Sequence, residues 1–392
     1  MNTSGNKNHY LSTTNFPYFY AMIKMLPKLA VKYIVLTITI CTVLLYLPAL
    51  ISFWISPLQL GFIGFLTLVF PYTATTLLLL CIFWFVAKPK IGVFVLLLLL
   101  LGFKNYATLF GTNTNNDFNI EKLTNNIRIA TWNIQSFNGL SKNKEAKKNI
   151  KADIISCIKK YNPDIICLQE FNTSTIKGDA ADNIALLKKQ YAHYFFSEDY
   201  ERKKGSYKSG CIIFSSLPII KTGKIKYPIA ESLIYIDVLK EKDTVRIYTT
   251  HLQSFKFKKE DYEEIDNISQ KKEASAKASM SLYRKMKLAF NQRAIQANIV
   301  QKTIQESPHP SVICGDFNDV PASYTYYTIK EKRYDAFLEK QFGIGRTFIS
   351  LAPTLRIDYI MPDIHFTTQQ FELVDENLSD HLMLVADIRL KK

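Results

Sequence analysis

The sequence predicts an all-α membrane anchor followed by an α+β domain in which two β-sheets pack face to face with helices outside them. Three observations lead there. The first 112 of the 392 residues contain no Asp or Glu and include long uncharged apolar runs. From residue 126 the pattern changes to short β-branched runs separated by turns and helices. At least eight such runs occur with few helices between them, which favours two packed sheets over a doubly wound parallel sheet.

The anchor is read over residues 33–110, after an N-terminal tail of residues 1–32. Tyr33 to Ile55 is an uncharged run of about 23 residues, long enough to cross a bilayer at about 1.5 Å per residue. Leu58 to Ala87 is a second run, and Ile91 to Phe103 a shorter third that spans only if Lys104 snorkels and the segment to Leu109 joins it. A cleaved signal peptide fits poorly, because its apolar region would be shorter and would end in small residues. Lys24, Lys28 and Lys32 precede the first run, and Lys88 and Lys90 separate the second from the third. The link between the first two runs has no charge. The positive-inside rule therefore puts the tail and the Lys-Pro-Lys turn in the cytoplasm, and three spans put the remainder on the outer side. Residues 111–125 are polar and Asn-rich and read as a linker, leaving residues 126–392 as a separate domain.

Within that domain IRIATWNI, DIICLQE, SGCIIFSS, SLIYIDVLK, TVRIYTTHL, SVICGDFN, LRIDYIMP and LMLVADIRL read as strands. Asn143 to Tyr161 has helical spacing, with Ile150, Ile154, Ile155 and Ile158 on one face. The charged stretch from Phe255 to Glu306 is also helix-forming. Removing the seven lysines of the first 112 residues from the 49 basic residues leaves 42 against 34 acidic ones, a surplus of +8. That suits an anionic substrate or a membrane surface without singling out nucleic acid. The six cysteines have no CxxC spacing, which argues against zinc, and read as small core residues.

Polar residues close the buried strands. Asn133 ends IRIATWN, Glu170 ends DIICLQE, His251 ends IYTTH, and Asp316 and Asn318 end SVICGDFN. Asp358 lies in RIDYI, and Asp380 with His381 opens the last strand. One carboxylate at a strand end is an ordinary cap. Several, with amides and two imidazoles, mark a site, because buried charge is costly unless paired or bound to metal. The oxygen-rich donors are hard ligands that suit Mg²⁺ or Mn²⁺.

The motifs TWNI, LQE, THL, GDFND, RIDYI and SDH occur in that order, and the chain from Ile127 to Arg389 resembles the endonuclease/exonuclease/phosphatase superfamily. The resemblance implies a four-layer, DNase I-like sandwich and a metal-dependent hydrolase of phosphate esters. It implies Glu170 as principal metal ligand with Asn133 beside it and Asp380 facing the metal. It implies Asp316 orienting the water or assisting the leaving group, Asn318 contacting the phosphate, and His251 donating to a phosphoryl oxygen. His381 would be the general base, oriented by Asp358. Arg293 is a further candidate for the substrate phosphate, and Thr347 and Arg356 would shape the pocket. The family often supports the THL histidine with another acid; Glu198, Asp199 and Glu201 are the candidates here. The expected activity is that of a phosphodiesterase or nuclease on the outer side of a membrane. The alternative is a lipid- or metabolite-directed phosphatase or phosphodiesterase, which bilayer anchoring would bring close to lipid headgroups. The sequence implies no protein partner, and the intact residue set argues against an inactive binding module.

Overall fold

In the computed structural model, residues 16–114, 117–137, 144–177, 182–270 and 276–391 are described; the first fifteen residues of the expected tail lie outside them. The chain divides into two compact units, residues 1–47 with 72–100 and residues 48–71 with 101–392.

The first unit is helical. It draws on α1 (Phe16–Leu50), α2 (Ile63–Ala87) and α3 (Pro89–Leu101). The apolar stretch Ala30–Leu50 and the whole of α2 are each long and apolar enough to cross a membrane. The short α3 is followed by α4 (Phe103–Leu109) after a 58° bend, and the pair passes the same test only as one broken span. Buried polar groups pair inside the unit, as burial requires: Trp84 Nε1 donates to Thr39 Oγ1 at 2.8 Å, and Tyr46 to the Leu99 carbonyl at 3.2 Å. All six cysteines are free, and five are buried; Cys41 is exposed, unlike the core residue expected from its apolar surroundings.

The second unit holds two large sheets. One has strand order β12-β10-β9-β8-β7, from Asp358–Pro362, Ser311–Asp316, Asp243–His251, Ser232–Lys240 and Ile219–Lys226. The other has order β13-β14-β2-β3-β6-β4, from Phe366–Val374, Met383–Leu390, Ile127–Asn133, Ile165–Ser174, Tyr207–Ser215 and His193–Phe196, with β5 (Tyr200–Arg202) beside β6. A two-stranded ribbon pairs β1 (Gly111–Thr112) with β11 (Phe342–Gly343).

Alternation in the strands decides which side chains meet between the sheets. In β2, Ile127 and Ile129 face the inter-sheet core with Ile236, Ile247 and Val312, while Ala130 and Trp132 face outward. The outward face is covered by α5 (Lys144–Tyr161), whose Ile150, Ile154 and Ile158 lie on Trp132, Leu168 and Phe214. On the other sheet, Ala297, Val300 and Ile304 of α8 (Ala276–Gln305) cover Tyr248, Ile313 and Met361. The result is the expected four layers, helix–sheet–sheet–helix. Because both faces of both sheets are covered, β2 is buried throughout. Its one charged residue, Arg128, is neutralised by a two-pronged pair with Asp387 on β14, at 2.6 and 3.0 Å.

The strand directions position the site. β2 and β3 run parallel, as do β9 and β10, so their C-terminal ends emerge at one end of the sandwich. In register, Asn133 is level with Gln169, Asp316 with His251, and Asp316 with Asp358 at the start of antiparallel β12.

The stretch expected to be a free linker is instead tied to the domain. Besides the ribbon at Gly111, the Asn113 amide donates to the Leu338 carbonyl at 3.0 Å, and the Asn119 backbone to Gln370 at 2.9 Å. Just upstream, Arg356 donates to the Thr108 carbonyl at 2.6 Å. Composition showed a mostly polar, Asn-rich stretch; hydrogen bonds from its backbone and side chains bind it to the domain.

Candidate active site

The strand ends open into a pocket of about 250 Å³ whose walls include Asn133, Glu170, His251, Asp316, Asp380 and His381. A larger hollow of about 760 Å³ lies at the opposite strand ends, on Lys240, Glu241 and Arg389, and contains none of these groups.

Two backbone devices aim the side chains. The pairing of β3 with β6 slips between Leu168 and Phe171, and within that bulge Glu170 takes a left-handed conformation with φ 53°. The bulge turns the Glu170 carboxylate out of the strand alternation and toward the pocket. Gly315 of β10 has φ 132°, and a Cβ there would strike the Thr250 carbonyl oxygen of β9. Only glycine lets β10 approach β9 closely enough to bring Asp316 beside His251.

His381 Nδ1 lies 2.9 Å from Asp358 Oδ2, and the ring is buried. This fixes the tautomer and leaves Nε2 facing Asp316 Oδ2 at 3.8 Å. The Thr347 hydroxyl holds Asp358 by accepting from the backbone N–H of Ile357 at 2.9 Å and of Asp358 at 3.1 Å. His251 Nε2 lies 3.5 Å from Asp316 Oδ2 and 3.9 Å from Glu170 Oε1. Asn133 Nδ2 donates to Asp316 at 3.1 Å and to Glu170 at 3.4 Å. Asn318 donates its backbone N–H to Asp316 Oδ1 at 2.8 Å and its side-chain amide to the Leu252 carbonyl at 3.0 Å.

Two residues passed over in the sequence belong here. Gln135 bridges the Asn133 side chain and Asp380, donating from its backbone at 3.1 Å and its side chain at 3.1 Å. Glu231, not Glu198, Asp199 or Glu201, backs the THL histidine: its Oε2 lies 3.3 Å from His251 Nδ1. The three earlier candidates pair elsewhere, Asp199 with Ser197, Ser232 and Lys224, and Glu198 and Glu201 with Lys208. Glu231 sits in the turn before β8, where no periodicity singles it out.

Arg293 is not a pocket residue. It is fully buried on α8, pairs with Asp319 at 3.3 Å, donates to the Gln253 carbonyl at 2.8 Å, and lies between the Phe255 and Phe290 rings. Its charge secures the loops behind the pocket, so the phosphate role expected for it is withdrawn. Arg356 likewise pairs with buried Asp335.

The site gathers Glu170, Glu231, Asp316, Asp358 and Asp380, with two imidazoles to offset them. Burial and the Asp358 charge push the Asp316 carboxyl up to about 6, although His381 and His251 oppose the shift. Burial raises Asp380, and it raises Glu231 to about 7. Burial alone would disfavour a charged His381, but the Asp358 and Asp316 carboxylates outweigh it and hold the ring up at about 10. An excess of crowded oxygen donors is the environment a hard dication fits. Single ligand atoms of Asp316, Asp358 and His381 already lie within 4.8 Å of one another. Glu170 and Asp380 are joined to the same network through Asn133 and Gln135.

The endonuclease/exonuclease/phosphatase family model matches residues 130–381. A second model, described only as a domain of unknown function, matches residues 32–109. No curated protein matches the chain. Among solved structures, an endonuclease/exonuclease/phosphatase from Beutenbergia cavernae is 19% identical, with 68% of this chain and 72% of that one aligned at a TM-score of 0.50. The human nocturnin catalytic domain with bound sulfate is 18% identical, over 68% of this chain and 94% of that one, at 0.46. A family protein from Leptotrichia buccalis is 15% identical, over 67% and 100%, at 0.46. At these identities the likeness concerns fold alone. The family match covers well over half of the residues and every strand-end group described above: the chain belongs to the endonuclease/exonuclease/phosphatase family and is a phosphoester hydrolase.

Proposed function

We propose that this chain is a divalent-metal-dependent phosphodiesterase that works on the outer face of a membrane. The observation that carries the reading is the oriented His381–Asp358 pair, 2.9 Å apart, facing the Glu170–Asn133–Asp316 network across one small pocket.

Glu170 would hold Mg²⁺ or Mn²⁺, with Asn133 and Asp380 beside it. Bound there, the dication would offset the carboxylates, lower the His381 pKa and polarise a phosphoryl oxygen. His381 Nε2 then takes a proton from the attacking water while Asp358 steadies the imidazolium. His251, backed by Glu231, donates to a phosphoryl oxygen. Asp316 orients the water or assists the leaving oxygen, and Asn318 contacts the phosphate. Positioning and charge neutralisation suffice for phosphoryl transfer.

The lysine pattern supports the outer location. So do contacts inside the second unit between the uncharged link after α1 and the domain. Ser52 donates to the Ala322 carbonyl at 3.2 Å, and the Phe53 ring lies 4.4 Å from Tyr327. A link and a domain that touch lie on the same side of a bilayer. That requires an even number of crossings between them: α2 and the bent α3–α4 pair.

The test is turnover of bis(p-nitrophenyl) phosphate by the full chain in nanodiscs with Mg²⁺, Mn²⁺ or chelator. Activity is expected to vanish in chelator, and Glu170→Gln and His381→Ala each to lose at least about a hundredfold in rate. Full activity in excess chelator refutes the metal assignment. A reporter fused after Lys392 that is active in the cytoplasm refutes the topology.

A further inference from the structure

The pocket is walled in part by Leu68, a residue of α2, the 25-residue apolar helix that meets the length and composition requirement for crossing a membrane. Leu68 belongs to the same compact unit as the catalytic strands. It is five residues into the helix, about 7.5 Å along its axis. The pocket wall is thus carried by the first turns of a helix whose later turns are apolar enough to enter a bilayer.

The rim has matching chemistry. Phe255, Phe257, Phe348, Leu351 and Leu355 join Leu68 around the mouth, and Leu351 is 47% exposed. Lys256 is the one lysine or arginine among the lining residues, where the other basic groups are the two site imidazoles. A nucleic-acid groove needs a row of cations to follow the backbone. One lysine beside an apolar lip instead suits a single phosphate carrying hydrocarbon.

Packing holds α2 against the pocket. Phe65 stacks on Tyr283 of α8 with centroids 5.0 Å apart and meets Phe290 edge-on at 5.1 Å. A Cβ on Gly64 would come within 2.5 Å of the Phe290 ring, so the close approach of α2 to α8 needs glycine there. Phe290 continues edge-on to Phe255 at 5.5 Å, which stacks on Phe257 at 5.1 Å. An unbroken run of rings thus leads from the start of α2 to the pocket mouth. Within the same unit, the Arg356–Thr108 bond and the β1–β11 ribbon tie the segment after α4 to the domain.

We propose that the substrate is the phosphodiester of a bilayer phospholipid, cleaved in place, with its hydrocarbon left against Leu68 and Leu351. This rests on the phosphodiesterase reading above. The water oxygen bonds to phosphorus and one of the two P–O ester bonds breaks. The water proton goes to His381, and the departing oxygen is protonated, giving an alcohol and a phosphomonoester.

The experiment uses the full chain in nanodiscs of phosphatidylcholine and phosphatidylglycerol with Mg²⁺ and Mn²⁺, with bis(p-nitrophenyl) phosphate and a single-stranded DNA oligonucleotide as parallel substrates. The expected result is release of a lipid phosphomonoester or headgroup phosphate, with lipid preferred over DNA at least tenfold in kcat/KM. Leu351→Asp, on an exposed loop, and Leu68→Asp should each lower the ratio of lipid to bis(p-nitrophenyl) phosphate turnover about tenfold. The Leu351 variant serves should the Leu68 variant fail to fold. Cleavage of DNA or bis(p-nitrophenyl) phosphate with lipid untouched overturns the lipid assignment and leaves the phosphodiesterase reading standing. A parallel fall in both activities overturns the role of the rim. No turnover of any substrate with either metal overturns the phosphodiesterase reading itself.

Discussion

Replacing Thr347 by valine tests whether the His381–Asp358 pair is held by a single hydroxyl. Thr347 is fully buried, and its oxygen accepts from two backbone donors, Ile357 at 2.9 Å and Asp358 at 3.1 Å. Its own carbonyl accepts from Leu382 at 2.8 Å, next to His381, so one residue anchors both members of the pair. Valine keeps the shape and removes the acceptor. Each buried donor left without a partner costs about 1–3 kcal/mol, so the two together cost about 2–6 kcal/mol locally. At about 1.4 kcal/mol per decade, even the lower figure speeds amide exchange at residues 357 and 358 about thirtyfold. Hydrogen exchange read by mass spectrometry on the peptide covering those residues measures this in a membrane mimic, without knowledge of the substrate. Thr347→Ser keeps the acceptor and loses only a methyl, about 1 kcal/mol. The reasoning fails if valine changes exchange less than about threefold, or if serine is as harmful as valine.

Gly315→Ala should lower thermal stability by about 2–6 kcal/mol, combining backbone strain at φ 132° with the collision against Thr250, and wild-type melting would refute the close-approach argument. Glu231→Gln should lower the His251 pKa. Burial disfavours that ring's charge, while Glu231, then Asp316 and Glu170, raise its pKa; an unchanged imidazole titration by NMR would show that Glu231 has no such role. Mg²⁺ binding should weaken as pH falls through about 6. Asp316, raised by burial and by Asp358, takes up a proton there, and a cation held on neighbouring Glu170 would repel that proton, so calorimetry in buffers of different ionisation heat should detect proton release, and pH-independent affinity would exclude it.

The candidate site groups were legible because buried β-strands write themselves as apolar runs, and a polar residue bounding such a run stands out. Asn133, Glu170, His251, Asp316, Asp358 and His381 were all visible in this way; five of them line the pocket, and Asp358 stands behind His381. Edge strands were less visible. β7 carries Lys221, Lys224 and Lys226 and is largely exposed, so it lacks the apolar alternation of the central strands. β13, at the edge of the other sheet, mixes Thr and Gln into its run. Glu231 went unseen because its role depends on a turn delivering it to a ring twenty residues further on. Arg293 misled for the converse reason: a cation at helical spacing reads the same whether it faces a ligand or a buried carboxylate such as Asp319.

The bond from Arg356 to the Thr108 carbonyl bears on how the enzyme can be dissected. A fragment beginning at residue 126, where the β-rich pattern starts, would discard an acceptor for a guanidinium that has no access to water, together with the partner strand of Phe342–Gly343. Excision at that boundary would take away the Phe110 ring that Phe342 meets edge-on at 5.1 Å and would loosen the loop that carries Thr347. A soluble version should therefore retain the last helical turn before Phe110 and shield its apolar side by redesign.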